Sequence, residues 1–157
     1  MKLYCPVLSS GKYIPTKYAG KETPGGQNIS IPLTWGDVPS GTKSFAVTIT
    51  EKSKGKIPVV HWVVVNIGPS TRGIREGISG IRNLLPEGSL ELRNSFGALG
   101  YKGPVVVGGP AAREYVFAVY AMGGTLDLGP FSSFENFKEQ LAGRVLGEDS
   151  IAAFFHR

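Results

Sequence analysis

Cysteine is almost absent. The single thiol, Cys5, excludes an internal disulfide framework and a cysteine-built zinc site, and it reads most economically as a protein of a reducing interior. Histidine is nearly as scarce, at two residues. No long apolar run exists either. The longest, Val59 to Val65, is interrupted by His61 and is far too short to span a bilayer. The N-terminal stretch MKLYCPVLSSGKYIP carries one lysine and a short, broken apolar segment, unlike a secretory signal. The expectation is a cytoplasmic protein with no integral membrane segment.

What is present points to one compact unit. The 157 residues fit a single domain over 1–157, large enough to hide roughly 70% of the surface its unfolded chain exposes. Apolar residues are 41% and charged residues 18%, which excludes intrinsic disorder. Glycine (22) and proline (11) are abundant, too much so for a helical bundle, and favour a turn-rich β fold. The 17 basic residues exceed the 12 acidic ones by five, but they are scattered. Only Lys52, Lys54 and Lys56 cluster, and alternate spacing places them on one face of an extended segment. A charged strand edge of this kind discourages sheet aggregation, and it also offers a contact for an acidic partner. Neither zinc-finger spacing nor an aromatic-basic RNA-binding motif occurs, so no nucleic-acid partner is expected.

Periodicity marks the strands. Ser44 to Thr50 alternates, with Phe45, Val47 and Ile49 on one face, and predicts a half-buried strand. Val59 to Ile67 is β-branched and apolar on both faces, as is Tyr115 to Met122, and both predict central strands. Gly68 to Asn94 is polar and glycine-punctuated, and predicts a long surface excursion. Helical signals come late. Ser132-Ser133-Phe134-Glu135 has capping-box spacing, followed by Phe134, Phe137 and Leu141 at helical intervals and a stop at Gly143. Asp149-Ser150 suggests a cap for a last short helix, Ile151 to Phe155.

Three patches carry possible chemistry. His61 sits inside an apolar strand, where an imidazole must face a polar pocket or find a buried partner. Asn94 to Pro104 is a glycine-constrained loop. Arg113-Glu114-Tyr115 stands at the entrance of a strand. No nucleophile elbow, phosphate-binding glycine loop, paired carboxylates or metal-ligand spacing accompanies them. The expectation is therefore a protein without metal or cofactor, and not an enzyme. A His61-dependent hydrolase, with Arg113 stabilising developing charge, is the weaker alternative.

Taken in order, the motifs resemble the phosphatidylethanolamine-binding protein (Raf kinase inhibitor protein) family, especially its short bacterial and archaeal branch. Asn28 to Trp35 is similar to N-[IV]-S-P-P-L-x-W, Val38 to Ser44 to V-P-x-G-T-K-S, and His61 to Ile67 to H-W-V-x-x-N-I. Asn94 to Pro104 is similar to N-x-F-G-x-x-G-Y-x-G-P, Tyr115 to Ala121 to Y-V-F-x-x-Y-A, and Arg144-Val145-Leu146 to the family's closing x-V-L. The resemblance implies an antiparallel β-sandwich with a few peripheral and C-terminal helices. It also implies a small-anion pocket for phosphate, phosphorylated head groups or carboxylates, and a protein partner such as a kinase or protease. A homodimer is among the assemblies it allows.

The family pocket uses an aspartate of D-P-D-A-P, the strand histidine, a P-P turn after G-P, and H-R-Y. Carried over, these fall on Glu51 (with Ser53 replacing the second aspartate), His61, Gly103-Pro104 followed by Val106-Val107, Arg113 and Tyr115. Glu51 and Arg113 are both departures. A guanidinium can hold an anion through paired charge-assisted hydrogen bonds, so the ligand-binding set is Glu51, His61, Gly103, Pro104, Arg113 and Tyr115. Alternatively Arg113 pairs with Glu51 and plugs the pocket.

Overall fold

The computed structural model describes residues 1–55, 57–105 and 111–156. Among the described residues, eight strands and one α-helix build a two-layer β-sandwich. The small sheet orders β1 (Lys2–Tyr4), β2 (Leu33–Gly36) and β5 (Gly73–Ile74) side by side. The large sheet runs β6 (Leu90–Glu91), β4 (Val59–Ile67), β3 (Ser44–Glu51), β7 (Arg113–Met122) and β8 (Val145–Phe155). Every pairing in both sheets is antiparallel. The chain thus has the expected mostly β, antiparallel sandwich architecture.

The main core lies between the sheets. Leu3, Leu33, Trp35 and Ile74 of the small sheet meet Phe45, Val47, Ile49, Trp62, Val64, Phe117 and Val119 of the large one. A second core covers the large sheet's other face. There Ala46, Val63, Val65 and Met122 pack against Phe137 and Leu141 of the helix α1 (Phe134–Leu141). Burying Phe137 completely contributes about 1.5–3 kcal/mol. This second layer corrects the reading of β3 as half-buried: all but one of its residues are buried, because α1 and its flanking loops shield the side that alternation alone assigns to solvent.

Four further expectations change. The C-terminal segment Ile151 to Phe155 is not a helix but the end of β8, paired residue for residue with β7 from Arg113↔Phe155 to Phe117↔Ile151. A five-residue helix cannot recover its nucleation cost, whereas the edge of β7 offers a complete ladder. Asp149 does not cap anything; its carboxylate accepts the Leu3 N–H at 2.7 Å. The capping box at α1 is shifted by one residue: Ser133 is the cap, and its partner is Asn136, not Glu135. The excursion from 68 to 94 is tied down twice, by β5 and by β6. On β6 the buried Glu91 accepts from Trp62 Nε1 at 2.6 Å, Ser79 Oγ at 2.5 Å and Gly80 N–H at 2.8 Å. The lysine cluster does not lie along a strand. Lys52 leaves the end of β3 and pairs with Glu114 at 2.8 Å, Lys54 sits in the exposed bend that follows, and Lys56 lies outside the described residues.

Candidate functional site

Strand register assembles the site. Glu51, the last residue of β3, stands opposite Val59 on β4 and opposite Tyr115 on β7. Side chains two apart share a face of a strand, so Arg113 joins Tyr115 beside Glu51. His61 arrives by a different device. On β4, Ile49 pairs with Trp62 and Thr50 pairs with Val60, so His61 is the extra residue of a β-bulge. A bulge re-aims a side chain that strict alternation would turn the other way. His61 is thereby set against the Tyr115 ring, with centroids 5.2 Å apart and planes at 75°.

Glu51 is the hub. Its Oε1 accepts from Arg113 Nη1 at 2.8 Å, and its Oε2 lies 3.6 Å from His61 Nε2, longer than a hydrogen bond. The Glu51 side chain is only 8% exposed, while that of Arg113 is 44% exposed, so the guanidinium forms the mouth and the carboxylate the floor. Burial pushes the Glu51 carboxyl up, but the interactions with His61 and Arg113 outweigh it and hold the group below its ordinary range. The same carboxylate pushes Arg113 further up. Burial, and then the neighbouring Glu51 charge, push the Tyr115 phenol well above its usual value. His61 Nδ1 lies 2.6 Å from the Lys102 carbonyl. A carbonyl cannot donate, so Nδ1 carries the proton. Two buried polar atoms, His61 Nε2 and Tyr115 Oη, have no hydrogen-bond partner among the described residues.

The loop from Asn94 to Pro104 contributes differently from expectation. The Gly103 N–H is spent on Asn28 Oδ1 at 2.8 Å, and the Pro104 carbonyl accepts from the Gly20 N–H at 2.8 Å. Neither offers a donor to the site. The loop instead supplies the Lys102 carbonyl, and Lys102 N–H donates back to the His61 carbonyl at 2.9 Å. Phe96 lies with its ring centroid 5.2 Å from that of His61. Lys102 and Phe96 are the site residues that residue-type reasoning missed; their signal was position within the glycine-constrained motif, not chemistry. Gly103 is there for closeness: a Cβ would meet the Tyr18 carbonyl oxygen at 2.0 Å. Ser53 is remote from the site in its bonding, donating to the Ile57 carbonyl in an exposed turn. Val106 and Val107 lie outside the described residues.

Among the described residues no group of three His, Cys, Asp or Glu side chains could hold a metal, and no helix is long and apolar enough to cross a membrane. A separate hollow of about 560 Å³ lies on the outer face of the large sheet, between α1 and Tyr120. It shares no residue with the Glu51 site.

Comparison with known proteins agrees with the motif order. The family model for phosphatidylethanolamine-binding protein matches residues 6–156. The UPF0098 protein of Methanothermobacter thermautotrophicus is 37% identical over 144 residues, covering 92% of this chain and 91% of the relative. The Escherichia coli UPF0098 protein YbhB is 37% identical over 130 residues, covering 78% of each. The crystal structure of Escherichia coli YbcL, described as a new member of the mammalian PEBP family, superposes with a TM-score of 0.90 at 26% identity. That match covers 99% of this chain and 98% of the other. With the motifs in register, the sandwich in place and the family model spanning nearly the whole chain, this protein belongs to the phosphatidylethanolamine-binding protein family.

Proposed function

We propose that this chain is a non-enzymatic binding module. It takes a small anion (phosphate, a phosphorylated head group or a carboxylate) between Arg113, His61 and Tyr115, and through that site modulates a protein partner such as a kinase or protease in the cytoplasm. One observation carries the reading. The site already grips an oxyanion, because the Glu51 carboxylate is held by Arg113 at 2.8 Å beside two buried polar atoms that have no hydrogen-bond partner among the described residues. A guanidinium at the mouth can turn from an internal carboxylate to an external anion, to which it can donate two parallel N–H bonds. Catalysis is not part of the reading. His61 commits Nδ1 to a backbone carbonyl, and the carboxylate beside it is tied to Arg113 rather than free to attack a substrate.

A second reading is favoured by the same 2.8 Å contact: the Arg113–Glu51 pair is a permanent plug, and the protein acts by its surface alone. Calorimetric titration with inorganic phosphate, phosphoethanolamine and acetate separates the two. Binding by the wild type that weakens about tenfold or more in Arg113→Ala, the loss of one charge-assisted contact, supports the anion site. Absence of heat with all three ligands supports the plug.

A further inference from the structure

The outer face of the large sheet is only partly covered. The helix α1 has eight residues and is about 12 Å long, whereas the ten residues of β7 extend over about 33 Å. Phe137 and Leu141 seal the sheet over Ala46 and Met122 and leave a stretch of β3 and β7 without a helix above it. There Thr48, Thr50, Val116 and Ala118 line the hollow of about 560 Å³, together with Phe134 and the 68% exposed Ile57. Its size falls within the roughly 300–1,000 Å³ of small-molecule sites, and a mainly apolar lining with a few polar groups is their usual character.

The charge around this hollow reverses that of the whole protein. The chain carries five more basic than acidic residues, yet here three exposed carboxylates stand against one ammonium, that of Lys138. Glu135 and Glu139 lie one helical turn apart on α1 and both line the hollow. Glu148 stands opposite Tyr120 in the β7–β8 ladder. Tyr120 lines this hollow and two adjoining ones of about 280 and 370 Å³, both of which reach Glu148. Burial, and then the Glu148 charge, push the Tyr120 phenol up. Elsewhere Glu22, Glu51, Glu76 and Glu114 each hold a lysine or an arginine. Among the described residues, the side chains of Glu135, Glu139 and Glu148 have no ion-pair or hydrogen-bond partner. Unpaired carboxylates around an apolar floor and a tyrosine ring repel anions and attract cations.

We propose that this hollow is a ligand site, separate from the Glu51 site, for a small amphipathic amine whose apolar body covers Thr50, Val116 and Ala118 and whose ammonium sits at the carboxylate rim. Each simpler ligand answers half of the lining. A neutral apolar molecule leaves the three carboxylates unanswered. A bare metal ion finds no set of three ligating side chains among the described residues, and it gains nothing from the apolar floor. The amine matches both.

The experiment is a fluorescence titration of the wild-type chain with dansylcadaverine, a naphthyl body joined through an alkyl chain to a primary ammonium; entry into an apolar hollow shifts its emission to the blue. The expected result is saturable binding, about fivefold or more tighter than that of N-butyl dansylamide, which lacks the ammonium. It weakens as salt rises from about 0.05 to 0.5 M, because exposed charges are screened. Glu135→Gln with Glu139→Gln weakens it about threefold to tenfold, and Lys138→Gln tightens it about twofold to threefold by removing the competing cation. Thr50→Phe fills the floor with a side chain that strands favour and abolishes it. Should Thr50→Phe not fold, the opposite signs of the glutamine substitutions decide, since Glu135, Lys138 and Glu139 are all exposed. Equal binding of the two dansyl probes, weaker binding in Lys138→Gln, unchanged binding in a folded Thr50→Phe, or no saturable signal at all overturns the inference. None of these results touches the anion-binding reading, whose residues lie outside this hollow.

Discussion

Removing the Arg113 guanidinium tests the centre of the site directly. Breaking a fully buried ion pair by deleting one partner costs about 3–5 kcal/mol, because the other charge is left buried and uncompensated. Here only one partner is buried: the Glu51 side chain is 8% exposed and that of Arg113 44%. Water reaches the guanidinium and screens part of the interaction. The expected loss for Arg113→Ala is therefore about 1–2 kcal/mol, between the exposed and buried limits. At about 2–4 °C per kcal/mol for a chain of this size, the melting temperature falls by about 2–8 °C. The double variant Arg113→Ala, Glu51→Gln removes the stranded charge and regains part of that loss, so the cycle shows a coupling of about 1 kcal/mol. The sign of the pH dependence follows from Glu51. Its carboxyl is held low in the folded state, so its contribution is fully present above the unfolded carboxyl value of about 4.3 and disappears as pH falls through the lower folded value. Arg113→Ala flattens that acid limb. Urea unfolding at neutral and acid pH measures all of this. A single variant within about 0.3 kcal/mol of wild type, inside the usual additivity error, refutes the argument. So does a Glu51→Gln change that costs as much without Arg113 as with it.

Gly103→Ala puts a methyl group 2.0 Å from the Tyr18 carbonyl oxygen and 2.7 Å from the Ala19 carbonyl carbon. Both are backbone atoms that cannot step aside, so overpacking costs about 1–3 kcal/mol or more; a thermal melt unchanged from wild type would show that the loop is looser than its contacts state. Cys5 is pushed up to about 11, chiefly by burial. Its reaction with an aromatic disulfide reagent at about pH 8 is expected to run about 100-fold slower in the folded chain than in urea, where an ordinary thiol titrates near 8.5; equal rates would contradict the burial argument.

Strands with a strong pattern were legible because one physical rule governed them. β4 and β7 are apolar on both faces, and both lie inside the large sheet. Where two rules competed, the local one lost. Asp149-Ser150 before Ile151 reads as a helix cap over five residues, yet Ala153 and Phe155 are buried at a spacing of two, which is strand periodicity. The cross-strand ladder to β7 outweighed a local preference worth a fraction of a kcal/mol per residue. β3 misled for another reason: alternation reports side-chain polarity, and Ser44 and Thr48 are buried regardless. Ser44 satisfies its hydroxyl on the Gly124 carbonyl at 2.6 Å, a partner 80 residues away that no periodicity reveals.

The site divides along the same line. Glu51, His61, Arg113 and Tyr115 were readable because each occupies a motif position, and the strands then bring them together by register. The loop residues were readable as motif but not as chemistry. Gly103 carries a backbone N–H that a small anion could use, whereas Asn28, held at a positive φ of 52°, reaches across and takes it. The decisive element, the bulge at His61, has no letter in the sequence at all. Without it, alternation along β4 would put His61 on the face opposite Trp62, which belongs to the core between the sheets, and away from Glu51. The imidazole meets the carboxylate only because one residue of β4 has no partner on β3. A deletion that restores regular pairing at this point is therefore expected to keep the sheet and to turn the imidazole away from Glu51, with phosphate binding by calorimetry lost while the melting transition stays cooperative.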